Sequence, residues 1–185
     1  DIFSYLFNNN EAISLIRALK NLNLSKKNLM ELKSMIMSKN YKAIIIAAGL
    51  GSRLGELTKE IPKCMLELNG KSLLKRQIDA YSKNGIKDIS VIRGYLKEKI
   101  NIKGLKYYEN TDFENNNILN SLFYAEKELN GNVIVSYSDI IFSPKIVERL
   151  LDSNADISIV VDVDWRGSYS NRKDHPIEEA ENVIF

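Results

Sequence analysis

A three-layer α/β fold, with helices on both faces of a mostly parallel sheet, is predicted by three features of this sequence. Short apolar runs rich in β-branched residues (Ala43-Ile44-Ile45-Ile46, Ile89-Ser90-Val91-Ile92 and Val133-Ile134-Val135) alternate with stretches whose apolar residues recur at helical spacing. The first run is apolar at every position rather than every second one, as a strand buried on both faces requires. Glycines follow the first two runs at Gly49, Gly51 and Gly94, and open α/β sheets bind ligands there, beyond the carboxyl ends of their strands.

The elements follow in order. Strand 43–47 leads into the glycine loop, and Met65-Leu66-Glu67-Leu68 comes next. Asn69-Gly70-Lys71 reads as a tight turn and Ser72 as the cap of a helix reaching Lys83, with Leu73, Leu74, Ile78 and Tyr81 on one face. Asn84-Gly85 ends that helix. Strands 88–93 and 105–109, helix 118–129, strand 132–137, helix 144–152 and strand 156–162 complete a Rossmann-like order. Residues 1–40 read as a helical appendage, with Asn10 capping a helix that carries Ile13, Ile16 and Leu19, and Ser25 capping another that carries Leu29, Leu32, Met35 and Ile36. Neither helix buries its stripe alone and the chain begins without Met. This segment is therefore expected to be the tail of an upstream domain or a linker packed on the domain that follows. A helix-turn-helix is disfavoured because a third helix is missing.

Composition narrows the classes. With 185 residues and 44% apolar content, the chain can fill one α/β core. No run approaches the roughly 18 apolar residues of a spanning helix, and the start lacks a basic-then-apolar leader, so a cytoplasmic location is expected. The single cysteine, Cys64, excludes an internal disulfide framework and reads as a small buried hydrophobe. Residues 1–40 hold six Lys/Arg against three Asp/Glu, leaving 20 against 21 elsewhere. A near-neutral body gives no electrostatic footprint for nucleic acid.

Ala48-Gly49-Leu50-Gly51-Ser52-Arg53, issuing from the first strand, reads as a phosphate cradle in which backbone N–H groups close on a polyanion, with Arg53 and Lys63 supplying positive charge. Two commoner loops are excluded. The third glycine of a dinucleotide loop would fall at Leu54, and Gly70-Lys71-Ser72 lacks the P-loop glycine five residues earlier, where Met65 stands.

Gly49, Gly51, Ser52, Arg53, Leu57, Thr58, Pro62 and Lys63 match the pattern G-x-G-[ST]-R-x-x-P-L-T-x-x-x-P-K, with Glu56 where the first proline is usual. On these residues the stretch from 42 to about 181 resembles the nucleotidyltransferases that activate sugar phosphates and phosphoalcohols. Gly94-Tyr95-Leu96-Lys97-Glu98 and Asn117 through Ser121-Leu122 are similar to choline-phosphate cytidylyltransferases. Pro62 to Leu66, Arg93-Gly94-Tyr95, Ser136 to Phe142 and Asp162 to Trp165 resemble the cytidylyltransferase-like domain fused to phosphoenolpyruvate mutase in phosphonate biosynthesis.

The resemblance implies a three-layer fold of the nucleotide-diphospho-sugar transferase type over residues 41–185, truncated at its C-terminus, and allows a fusion partner domain. It implies CTP as donor, Mg²⁺ as cofactor, and 2-aminoethylphosphonate or phosphocholine as acceptor. Sugar 1-phosphate transfer is the alternative within the class, and a non-catalytic nucleotide-binding module is the alternative outside it. Ala48, Gly49, Gly51, Ser52 and Gly94 would bind nucleotide. Arg53 is assigned to the β/γ-phosphates, and Lys63 to the α-phosphate and attacking oxygen. Asp139, after Val133-Ile134-Val135, is assigned to the metal, a cap on the next helix being its plainer role. Asn117 matches the cytidylyltransferase pattern as a substrate contact. Asp162, Asp164 and Trp165 offer carboxylates and an aromatic face to an ammonium headgroup, although Trp165 reads equally as a packing residue. His175 is expected in a surface loop, and Glu178, Glu179 and Glu181 on a solvated face.

Overall fold

The structure is a computed structural model that describes residues 41–115, 117–169 and 177. The helices expected within 1–40, together with His175, Glu178, Glu179 and Glu181, lie outside the described residues.

Strand β1 (Tyr41–Ala47) is buried from Ala43 to Ala47. Two short 3-10 turns follow, Ser52–Thr58 and Lys63–Met65. Strands β2 (Glu67–Leu68) and β3 (Lys71–Ser72) then pair antiparallel around Asn69-Gly70, whose φ values of 49° and 70° suit a two-residue hairpin turn. Helix α1 (Leu73–Lys83) starts at Ser72, which accepts from the Lys75 N–H at 3.2 Å. It ends with the Gly85 N–H on Ser82 O (3.0 Å) and the Ile86 N–H on Tyr81 O (3.1 Å), which satisfies the last carbonyls. Next come β4 (Asp88–Arg93), β5 (Lys106–Glu109), α2 (Ile118–Phe123), β6 (Asn132–Tyr137), α3 (Pro144–Leu151) and α4 (Trp165–Tyr169).

The main sheet has the order β5-β4-β1-β6 and every pairing in it is parallel, with Ile45 opposite Val91, Ile44 opposite Val135, and Ile92 opposite Tyr108. The chain moves outward from β1 through β4 and β5, then returns as β6 on the other side of β1. The strand order therefore reverses beside β1, where such sheets open a binding crevice. Side chains of β1 alternate between two cores. Ala43, Ile45 and Ala47 join Leu74, Ile78, Tyr81, Val147 and Leu151 under α1 and α3, while Ile44, Ile46 and Ala48 join Ile92, Ala125 and Leu122 on the α2 side. Ile44 and Ile45 are both fully buried, each contributing roughly 2 kcal/mol. This is the Rossmann-like three-layer arrangement that the alternating pattern predicts.

On the α2 face, Glu128 is buried within a charged network. It accepts from the Tyr108 hydroxyl at 2.7 Å and pairs with Lys42 at 3.1 Å and Lys106 at 3.2 Å. These partners, Tyr108 first, hold its carboxyl down at about 2, below the ordinary 4.5.

Two expectations are corrected. Helix 118–129 ends at Phe123. The chain leaves helical geometry at Ala125 (φ −107°, ψ 28°) and resumes as a 3-10 turn over Glu126–Glu128, with Ala125 in the core and Glu128 on its cations. Strand 156–162 does not form: Ile157 and Ile159 stand 82% and 70% exposed. A strand persists only where a neighbour takes its backbone hydrogen bonds, and among the described residues none pairs with this stretch.

The chain divides into two compact units at Leu151 and Asp152. Among the described residues no helix is long and apolar enough to cross a membrane.

Candidate active site

The loop after β1 is framed by hydrogen bonds from both neighbouring strands. On the β4 side the Tyr95 N–H donates to Ala48 O at 3.1 Å, and on the β6 side the Ser138 N–H donates to Ile46 O at 3.0 Å. Gly94 is needed for the first approach, because a Cβ there would lie 2.7 Å from Ala48 O and 2.8 Å from the Phe113 Cβ. Gly94 thus lets the turn after β4 close against Ala48 and Phe113. Around Gly49 a Cβ would meet nothing within 4 Å, so the backbone there lies open to an incoming group.

Gly51 adopts φ +67°, and a Cβ on it would meet Thr58 Cγ2 at 3.2 Å and Lys63 Cβ at 3.3 Å. The glycine turn therefore lies directly against the segment that presents Lys63. The Thr58 hydroxyl locks that contact by donating to Gly51 O at 2.8 Å. Ser52 and Arg53 are exposed at the start of the 3-10 turn that follows Gly51.

Pro62 and Cys64 are buried on either side of Lys63, so the turn Lys63–Met65 sinks its flanking residues and projects the lysine between them. Burial pushes the Cys64 thiol up to about 12, which suits the packing role read from sequence. The Lys63 ammonium donates to Asp139 Oδ2 at 2.7 Å, and both side chains remain about one-third exposed. The residues expected to bind phosphate and metal, Gly51, Lys63 and Asp139, therefore meet. Asp139 engages Lys63, in place of the helix-cap role considered for it. Among the described residues no cluster of three or more His, Cys, Asp or Glu could hold a metal.

Three further assigned residues have local partners of their own. Asn117 caps α2, its side-chain oxygen accepting from the Asn120 N–H at 2.9 Å. Asp162 and Trp165 belong to the second unit. There Asp162 Oδ1 accepts from the Asp164 N–H at 2.9 Å, and the Arg166 guanidinium stands 5.6 Å from the Trp165 ring centroid. Asp162 follows no strand, contrary to its expected place at the carboxyl end of one.

Sequence reading missed two contributors near the loop. Tyr95 donates its hydroxyl to Lys59 O at 2.8 Å, tying the turn after β4 to the segment beyond Arg53. Gln77 is fully buried in α1 and donates to Tyr137 O at 2.8 Å and Ile140 O at 2.7 Å. Its one signal was a polar residue at a stripe position between Leu73 and Tyr81.

Comparison with known proteins shows the family. The chain is 35% identical over 152 residues to the CTP:phosphoglutamine cytidylyltransferase of Campylobacter jejuni, covering 76% of this chain and 60% of that protein. It is 36% identical over 107 residues to the 2-aminoethylphosphonate cytidylyltransferase of Lancefieldella rimae, covering 55% and 44%. Among solved structures, the CTP:phosphocholine cytidylyltransferase of Streptococcus pneumoniae superposes with a TM-score of 0.53 at 36% identity, over 57% of this chain and 50% of that one. The chain thus spans about half the length of these relatives. The family described as the MobA-like NTP transferase domain matches residues 43–176, which include the glycine turn, Lys63 and Asp139, and this chain belongs to that family.

Proposed function

We propose that this chain carries the nucleotide-binding half of a Mg²⁺-dependent cytidylyltransferase that transfers CMP from CTP to a small phosphorylated or phosphonylated amine, releasing pyrophosphate. The observation that carries the reading is the 2.7 Å contact of Lys63 with Asp139 beside the glycine turn. It supports the reading because a cation and a carboxylate side by side have the chemistry to meet a triphosphate and its metal. Similarity to cytidylyltransferases favours cytosine as the base.

An acceptor oxygen attacks the α-phosphorus in line, and the bond to the bridging oxygen of pyrophosphate breaks without a covalent enzyme intermediate. This chain's part is positioning and charge neutralisation. The open backbone at Gly49 and the Gly51 turn receive the phosphates, Arg53 lies toward the β- and γ-groups, and Lys63 holds the α-phosphate and the attacking oxygen. Asp139 would hold a Mg²⁺, a hard cation suited to a carboxylate oxygen. The ion supplies Lewis-acid stabilisation of charge on the phosphate oxygens. Without nucleotide, Lys63 and Asp139 neutralise each other; with it bound, Lys63 would face phosphate and Asp139 the cation, so neither charge would be left uncompensated. In the second unit, Asp162 and Trp165 have the chemistry for an ammonium group.

The test is pyrophosphate release by the full-length polypeptide with CTP, UTP, GTP and ATP in turn, against 2-aminoethylphosphonate, phosphocholine, phosphoglutamine and glucose 1-phosphate. Release with CTP and an amine-bearing acceptor supports the reading. Nucleotide binding with no release under any pairing would identify a non-catalytic module.

A further inference from the structure

One face of α1 grips the whole loop from β6 to α3. Gln77, Tyr81 and Asn84 stand one and two turns apart on that face. Asn84 Nδ2 donates to Pro144 O at 2.9 Å, holding the start of α3. The Tyr81 ring packs edge-on against Phe142 with centroids 5.4 Å apart. Gln77 acts nearest the site: its two amide hydrogens go to Tyr137 O (2.8 Å) and Ile140 O (2.7 Å), which straddle Asp139, and its oxygen accepts from the Ser136 hydroxyl at 3.0 Å. Burying a primary amide costs several kcal/mol unless its hydrogen bonds are replaced, and here both donors and the acceptor are used.

The same helix sets the other partner. Cys64 lies in one core cluster with Leu74 and Ile78 of α1, and the Leu73 N–H donates to Leu66 O at 3.1 Å. The turn that presents Lys63 and the loop that presents Asp139 thus rest on a common support, although 76 residues separate them in the chain.

We propose that Gln77 is a positioning residue that sets the direction of the Asp139 carboxylate by clamping the carbonyls on either side of it, and so keeps Asp139 in register with Lys63. The consequence for turnover rests on the cytidylyltransferase reading above; the consequence for the loop itself does not.

Four versions of the full-length polypeptide separate the two: wild type, Gln77→Leu, Gln77→Glu and Asn84→Ala. Gln77→Leu removes all three bonds at similar volume. Gln77→Glu keeps the shape but turns a carboxylate oxygen toward a carbonyl, and serves if the leucine variant does not fold. Asn84→Ala costs the same loop a hydrogen bond far from Asp139. Hydrogen exchange of the ligand-free protein is expected to rise about tenfold or more at Ser138 to Ile141 in the Gln77 variants and to stay at the wild-type rate there in Asn84→Ala. With CTP and acceptor, kcat is expected to fall at least about thirtyfold in the Gln77 variants while the KM for CTP changes less than about threefold, as misplacement of one reacting group predicts. Unchanged exchange at Ser138 to Ile141 overturns the proposal, as does an equal loss of kcat in Asn84→Ala at matched melting temperature. An inactive wild type would sink the functional reading alone, because the exchange comparison still decides the role of Gln77.

Discussion

Lys63 and Asp139 meet at 2.7 Å across 76 residues of chain, each held by a neighbour that is itself buried. Pro62 and Cys64 fix the lysine's turn, and Gln77 clamps the aspartate's loop. An ion pair this exposed adds less than about 1 kcal/mol to stability. Its removal is therefore expected to cost the fold little. Lys63→Ala and Asp139→Ala are each expected to lower turnover at least about a hundredfold, roughly 2.7 kcal/mol of transition-state stabilisation, with the melting temperature nearly unchanged. Near-normal steady-state kinetics in either variant would remove that residue from the site.

The two glycines of the loop separate by substitution. Gly51→Ala forces a side chain into φ +67° and against Thr58 and Lys63, and is expected to cost about 1–3 kcal/mol in a denaturation series and to displace Lys63. Gly49→Ala meets nothing within 4 Å, so its stability is expected within about 0.5 kcal/mol of wild type. Any loss it causes falls on nucleotide affinity, which a binding titration reads directly.

Glu128 gives the fold an acid limit. Its carboxyl is held at about 2 by Tyr108, Lys42 and Lys106, so its stabilisation is present in full above the ordinary 4.5 and is lost as pH falls toward 2. Discounted for the exposure of Lys106, the contribution is on the order of 2 kcal/mol. Glu128→Gln is expected to lower the melting temperature near neutrality and to approach wild type as the buffer is acidified below 4.5. A stability gap that stays constant with pH contradicts this origin.

Cys64 is buried, with its thiol pushed up to about 12. A maleimide reagent is expected to leave it unmodified in the native protein and to label it once the chain unfolds. Rapid native labelling, followed by mass spectrometry, would mean that the turn carrying Lys63 opens.

The main sheet was legible because β1 is apolar at consecutive positions and glycines follow β1 and β4. Strands 88–93 and 132–137 are found at the residues read from sequence, as is the turn at Asn69-Gly70. The meeting of Gly51, Lys63 and Asp139 was implied by the resemblance to nucleotidyltransferases, and the place of Asp139 just after β6 agrees with it. Gln77 was not legible, because a helical stripe is read from its apolar members and a buried amide declares itself only through partners about 60 residues away. The stretch 156–162 has a strand's alternation, but alternation specifies a strand only when a neighbour supplies the ladder. Asn117 met a family pattern that an N-cap satisfies equally well.

The most direct test of the central claim is calorimetric titration of CTP and CMP, with Mg²⁺ present, into the full-length polypeptide and its Lys63→Ala variant. If the glycine turn and Lys63 grip the phosphate tail, the wild type binds CTP at least about tenfold more tightly than CMP, about 1.4 kcal/mol, and the variant loses most of that difference. Equal affinity for the two nucleotides, or a preference for CTP that survives Lys63→Ala intact, would contradict the account.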